Sequence, residues 1–125
     1  MPKEKSAGLI VFRKENGVTY YLLLHYPAIN RKGGHWEFTK GHVEKDESEK
    51  ETALREAAEE TGIRDLKIVP GFKKYIKYFF RAKKEESQKT KKVAWIFKLV
   101  IFFIAETKTK NVELSHEHIS FLWLP

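Results

Sequence analysis

Three glutamates, Glu56, Glu59 and Glu60, are crowded into the segment Arg55-Glu56-Ala57-Ala58-Glu59-Glu60. On an α-helix, at about 100° per residue, they share one arc of roughly 100°. Glu56 and Glu60 are then like charges at i,i+4, which destabilises an isolated helix by about 0.2–0.5 kcal/mol. A divalent cation reverses that sign. Carboxylate oxygens are the hard ligands Mg²⁺ prefers, and Mg²⁺ typically combines a few of them with substrate phosphates and water. A bare E-x-x-E-E cluster is more often only a solvated helix face, so the residues around it decide.

The elements that must position the cluster can be read on either side. From Glu47 to Thr61 the pattern is helical, with Ser48 and Glu51 spaced as a capping box and Gly62 placed to end the helix. Leu54, Ala57 and Ala58 fall opposite the acidic arc and are expected to face the core. Arg55 is spaced to pair with Glu59 or Glu51. Upstream, the apolar runs Ala7 to Arg13 and Val18 to His25 flank Lys14-Glu15-Asn16-Gly17, a hairpin signal. A basic, glycine-bearing loop, Asn30 to Gly34, precedes the short aromatic stretch Trp36-Glu37-Phe38. Downstream, strand-like runs cover Lys67 to Val69, Phe72 to Phe80, Val93 to Ala105 and Ile119 to Leu124. The third is long for one strand and suggests a bulge or bend. The charged stretch Arg81 to Lys92 reads as an exposed hairpin tip. The fold class is α/β (α+β): a single domain, residues 1–125, with a mixed sheet and one principal helix.

Composition narrows the function. Cysteine is absent, which excludes disulfides, thiolate metal sites and cysteine nucleophiles. The longest apolar run, Val93 to Ala105, is short of the ~20 residues of a membrane span and contains Lys98, so no membrane partner is expected. The N-terminus is charged and carries no signal-type apolar region, which points to the cytoplasm. A formal net charge of +7 favours a polyanionic ligand. Among 24 basic residues only Arg13, Arg31, Arg55, Arg64 and Arg81 are arginines, and Gln88 is the only glutamine. Abundant Lys and Glu with few thermolabile side chains is the pattern of a thermophile.

The spacing around the cluster is Gly41, five residues, Glu47, seven residues, then Arg55-Glu56-Ala57-Ala58-Glu59-Glu60-Thr61-Gly62-Ile63. This resembles the signature of the Nudix hydrolases, G-x5-E-x7-R-E-U-x-E-E-x-G-U with U apolar, at every specified position and without a gap. The resemblance implies the family's αβα sandwich, with Glu59 and Glu60 as metal ligands joined by the Gly41 backbone carbonyl. Glu56 is implied as ligand or general base, and Arg55 with Glu47 as the pair that orients the cluster. It also implies Mg²⁺ as cofactor, with Mn²⁺ as the alternative, and substitution at phosphorus by a cation-activated water.

Outside the box the chain is similar to the diadenosine tetraphosphate hydrolases of the animal and archaeal type. Similarity is carried by Ala7-Gly8-Leu9-Ile10-Val11-Phe12-Arg13, by Tyr21-Leu22-Leu23-Leu24, by His35-Trp36-Glu37-Phe38-Thr39-Lys40-Gly41-His42-Val43, and by Leu114-Ser115-His116-Glu117-His118. It implies Glu117 as a further metal ligand or alternative base, and Tyr78 as a stacking partner for adenine. Lys40, His35, His42 and His116 are further candidates to hold substrate, and Lys83, Lys84, Lys89, Lys91 and Lys92 could reach distal phosphates. Thr39 stands where that subfamily usually has proline, and Ala94 precedes Trp95 where a tyrosine is common. The subfamily's C-terminal helix is apparently absent after Pro125, so Phe121, Trp123 or their neighbours are expected to be uncovered. A homodimer through the C-terminal strand region is one consequence. The substrate expected is a nucleoside polyphosphate, foremost diadenosine tetraphosphate cleaved to ATP and AMP. The alternatives are 5′-triphosphate RNA, which makes RNA a partner only as substrate, NTPs or ADP-ribose, and a binding module without turnover.

Overall fold

Asn16 and Gly17 both take positive φ, 51° and 80°, and turn the chain between β1 (Lys3–Glu15) and β2 (Val18–Tyr26), the hairpin that Asn-Gly predicts. The computed structural model describes residues 3–27, 34–83 and 93–125. The basic positions of the loop expected at Asn30 to Gly34 therefore lie outside the described residues. So do Lys84, Lys89, Lys91 and Lys92, together with the side chain of Lys83.

The remaining elements are β3 (His35–Glu37), β4 (Thr39–His42), α1 (Glu49–Thr61), β5 (Lys67–Ile68), β6 (Lys74–Lys83), β7 (Val93–Glu106) and β8 (Ser120–Leu124). The sheet runs β3-β2-β1-β7-β5, with β4 on β1, β6 on β7 and β8 on β2. It is mixed because β1 and β7 are parallel, from Lys3↔Phe97 to Phe12↔Glu106. That pairing extends β1 well upstream of Ala7: the charged start Lys3-Glu4-Lys5 has no strand pattern of its own and is ordered by its neighbour. No bulge accounts for the length of β7. Its register is unbroken against both β1 and antiparallel β6, and it is long because it serves three partners, β1, β6 and, at its last residues, β5.

Helix α1 begins and ends as its sequence indicates. Ser48 accepts from the Glu51 backbone N–H, Glu51 reaches back to the Ser48 N–H, and Gly62 caps the helix at φ 72°. The buried stripe differs from the expected one. Ala53 and Ala57 are fully buried and Glu60 is nearly so, whereas Leu54 and Ala58 are only half-buried. Positions 53, 57 and 60 are i, i+4 and i+7, one helical row, so the row that faces the sheet carries a carboxylate on its last turn. This row packs on Ala7, Leu9 and Val11 of β1 and, through the register Ala7↔Ile101 and Leu9↔Phe103, on β7.

Among the described residues α1 is the only helix, and none is long and apolar enough to cross a membrane. A second helical layer is not formed by these residues. Phe121 and Trp123 are not uncovered as expected, because they pair with Leu24 and Leu22, the core-facing residues of β2, and pack against the core. Ile119, Leu122 and Leu124 are the exposed apolar side chains of this region.

Helix initiation rests on the capping box, so Ser48→Ala should lower stability by about 1 kcal/mol, read as a lower denaturation midpoint with an unchanged urea m-value.

Candidate active site

Glu47 is gripped by Arg55 through two bonds, from Nε at 2.7 Å and Nη2 at 3.0 Å, and also accepts from the Thr52 hydroxyl. The guanidinium is the main reason the Glu47 carboxyl is held down to about 2. The same arginine reaches Glu56 through Nη1 at 2.9 Å, Glu59 at 3.3 Å, and the His42 backbone carbonyl through Nη2 at 3.3 Å. Arg55 therefore ties together the loop before the helix, strand β4 and two members of the acidic cluster. Glu51, its other expected partner, is occupied in the capping box.

Glu60 points inward. It is 3% exposed, and its Oε2 accepts from the Thr39 hydroxyl at 2.8 Å and from the Tyr26 hydroxyl at 3.3 Å. His118 Nε2 stands 3.3 Å from the same oxygen, in a geometry that makes no hydrogen bond. Burial above all pushes the Glu60 carboxyl up, to about 8. Glu56 pushes the same way through a hydrogen bond and its charge, while Thr39 and Tyr26 oppose. Burial also lowers His118, which keeps the imidazole neutral, and raises the Tyr26 phenol, with Glu60 adding to the effect. The turn that carries His118 is fastened to the end of α1 by backbone bonds, Glu113 N–H to the Thr61 carbonyl at 2.8 Å and Ser115 N–H to the Glu60 carbonyl at 3.3 Å.

A cavity of about 580 Å³ opens over this cluster; Gly41, Glu44, Glu56, Glu59, Glu60 and Glu117 line it, and so do Lys40 and Lys98. Gly41 leaves room for the Glu56 side chain beside it: a Cβ there would lie 2.0 Å from the Glu56 carboxyl carbon. Gly41 shares a sheet face with Ala7, while Lys40 and His42 pair with Gly8 and Ser6. Both faces of β4 thus contribute, and the cavity wraps the edge of that strand. Lys98 joins from β7; burial first, then the Lys40 charge, lowers its pKa. The lining thus combines two ammonium groups with five carboxylates, those of Glu44, Glu56, Glu59, Glu60 and Glu117.

Residues 2–125 match the NUDIX domain family. The chain belongs to the Nudix family. It is 38% identical to the mouse bis(5′-nucleosyl)-tetraphosphatase (asymmetrical), across 96% of this chain and 78% of the relative, and 34% identical to that of Caenorhabditis elegans, across 95% and 77%. Among solved structures it is similar to a binary complex of the C. elegans Ap4A hydrolase, at 31% identity and a TM-score of 0.75, covering 97% of this chain and 79% of that one.

The Nudix box residues fit a hard divalent cation in kind. They are oxygen donors that line one cavity, with Gly41 letting the Glu56 carboxylate lie against the strand backbone. The fit is not preassembled. Among the described residues no three acidic or histidine side chains stand close enough to hold a metal ion as placed. Arg55 bridges Glu56 and Glu59 instead, and Glu59, with a side chain 59% exposed, has the rotamer freedom to turn from Arg55 toward a cation.

Of the expected substrate contacts, Lys40, His42 and His116 line the cavity. Lys40 is also paired with Glu37 at 2.8 Å. His35 does not line it. It stacks on Tyr26 with centroids 5.2 Å apart and bonds Glu37. Tyr78 does not line it either, but it pairs in register with Lys98 and so stands on the same sheet face beside the cavity. Tyr26, Thr39, Lys98 and His118 were not expected as site residues. Thr39 and His118 lie inside the segments H-W-E-F-T-K-G-H-V and L-S-H-E-H, and the helical row 53-57-60 was the available signal that Glu60 would need partners.

A carboxyl raised above its ordinary value binds its proton more tightly in the folded chain than in the unfolded one. Stability in a chelator should therefore fall as pH rises from about 4.5 toward 8, the ordinary and folded values of Glu60. Glu60→Gln should flatten that slope and raise the melting temperature at pH 8, measured by circular dichroism. An unchanged slope would show that the carboxylate is not the group responsible.

Proposed function

We propose that this chain is a cation-dependent hydrolase of dinucleoside polyphosphates that cleaves diadenosine tetraphosphate asymmetrically to ATP and AMP. The observation that carries the reading is that Glu56, Glu59, Glu60 and Glu117 line the same cavity as Lys40 and Lys98. Relatives whose names state that activity support it. Residues 1–125 are taken as one Nudix hydrolase domain. Mg²⁺, or Mn²⁺ in its place, would be held by Glu59, Glu60 and the Gly41 carbonyl, with Glu56 and Glu117 at the margin. Bound there it supplies charge neutralisation at phosphate and a water of lowered pKa.

The rest of the work falls to the chain. Lys40 and Lys98 hold the polyphosphate against the acidic wall, and the substrate's charge relieves their mutual repulsion. Glu56 accepts the proton of the attacking water as its oxygen bonds to phosphorus, and the P–O bond to the departing nucleotide breaks. Arg55, held by Glu47, keeps Glu56 aimed at that position. His42 and His116 border the phosphate path, and Tyr78 offers a ring to one adenine, with His35 behind Tyr26. The composition supports a cytoplasmic, heat-adapted enzyme. The exposed Leu122, Leu124, Tyr21 and Trp36 support a homodimer through the β2–β8 face.

Product analysis across diadenosine tetraphosphate, NTPs, ADP-ribose and 5′-triphosphate RNA tests the reading. Equimolar ATP and AMP from the dinucleotide at the highest kcat/KM is expected, and Glu59→Gln should reduce that turnover about 100–1,000-fold, the order for losing charge stabilisation at a transition state. Two molecules of ADP, or a faster reaction on any other substrate, would overturn the assignment. A separate expectation concerns the base. Tyr78→Ala should weaken dinucleotide binding by about 1–3 kcal/mol, the range for a base stacked on an aromatic ring, and Tyr78→Phe should restore it. Equal affinity in all three proteins removes Tyr78 from the substrate site.

A further inference from the structure

Both hydroxyls that donate to Glu60 among the described residues reach the same oxygen. The hydroxyls of Thr39 and Tyr26 both donate to Oε2, and His118 Nε2 crowds the same atom without bonding it. The three contacts are unequal. Tyr26 donates across 3.3 Å from a half-buried ring, whereas Thr39 donates across 2.8 Å and is 2% exposed. Thr39 is also the most rigidly held of the three. It is β-branched, which restricts χ1, and it sits in β4 in register with the fully buried Leu9 of β1.

We infer that Thr39 is a positioning residue for the cation site: its hydroxyl fixes Glu60 so that the carboxylate turns its other oxygen toward Glu56 and the cavity. The inference rests on the reading of Glu60 as a ligand. Without the bond, the carboxylate is left between Glu56 and the His118 ring, which stands 3.3 Å away without bonding it. Its preferred rotamer is then set by repulsion from Glu56 rather than by the cation site. Outer groups of this kind, which orient a ligand without touching the ion, typically change metal affinity by about 10–100-fold when removed.

Calorimetric titration of MnCl₂ alone into the full chain tests this, with folding checked by circular dichroism. Thr39→Val, which removes the hydroxyl and keeps the shape, should weaken Mn²⁺ binding about 10–100-fold. Thr39→Ser, which keeps the hydroxyl, should bind close to wild type. At saturating Mn²⁺ the KM for diadenosine tetraphosphate should not move. A valine variant that is folded and binds Mn²⁺ like wild type would overturn the inference. If valine is not tolerated, Thr39→Ser against Thr39→Ala makes the same comparison in a smaller side chain, and equal affinities there overturn it equally. Glu60→Gln separates the two levels. If it retains wild-type Mn²⁺ affinity, Glu60 is not a ligand, and the underlying reading falls together with the inference. If it loses binding while the Thr39 variants keep theirs, only the inference falls.

Discussion

The row of helix α1 that buries Ala53 and Ala57 against the sheet ends in the carboxylate of Glu60. Removing a carboxylate from water without compensation costs several kcal/mol, comparable to what one or two fully buried leucines contribute. Much of the surrounding structure answers that cost. Strand β4 brings the Thr39 hydroxyl, β2 brings Tyr26, and the turn at 115–118 is bonded to the helix end and places a neutral His118 beside the same oxygen. Hydrogen bonds to a charged group are worth about 1.5–3 kcal/mol each. Two of them offset the burial only in part, and the raised carboxyl of Glu60 reflects the remainder.

The cluster's second member is compensated differently. Glu56 lies at the rim, and its counter-charge is Arg55, which is itself locked by Glu47. The two glutamates therefore differ in kind. One is deep, held by neutral hydroxyls, and inclined to keep a proton. The other is accessible and paired with a cation that cannot be deprotonated. Environments that separate neighbouring carboxylates in this way commonly divide ligand and base roles between them. Lys40 and Lys98 line the same cavity, which therefore carries both signs of charge.

Much of this was legible in the residues. The Asn-Gly turn, the capping box at Ser48 and Glu51, and the Arg55–Glu47 pairing all depend on contacts close in sequence or on a fixed motif, and all appear in the structure. The length of β1 was not legible, because Lys3-Glu4-Lys5 becomes a strand only through β7, some ninety residues away. The burial of Glu60 was misplaced for a related reason. Grouping acidic side chains by arc hid the fact that position 60 continues the row of Ala53 and Ala57. Lys98 reads as an interruption in an apolar run until the register of β7 with β6 sets it beside Tyr78 and it is found lining the same cavity as the glutamates. The order of strands in a sheet, rather than any local pattern, decides such placements.

The account's central claim is that this set of carboxylates is a cation site. Crystals grown with Mn²⁺ would test it most directly through anomalous scattering. The strongest anomalous peak is expected within ligand distance of at least two of Glu56, Glu59 and Glu60, with Glu59 turned away from Arg55. A map in which the cluster carries no peak and Arg55 still bridges Glu56 and Glu59 would contradict it.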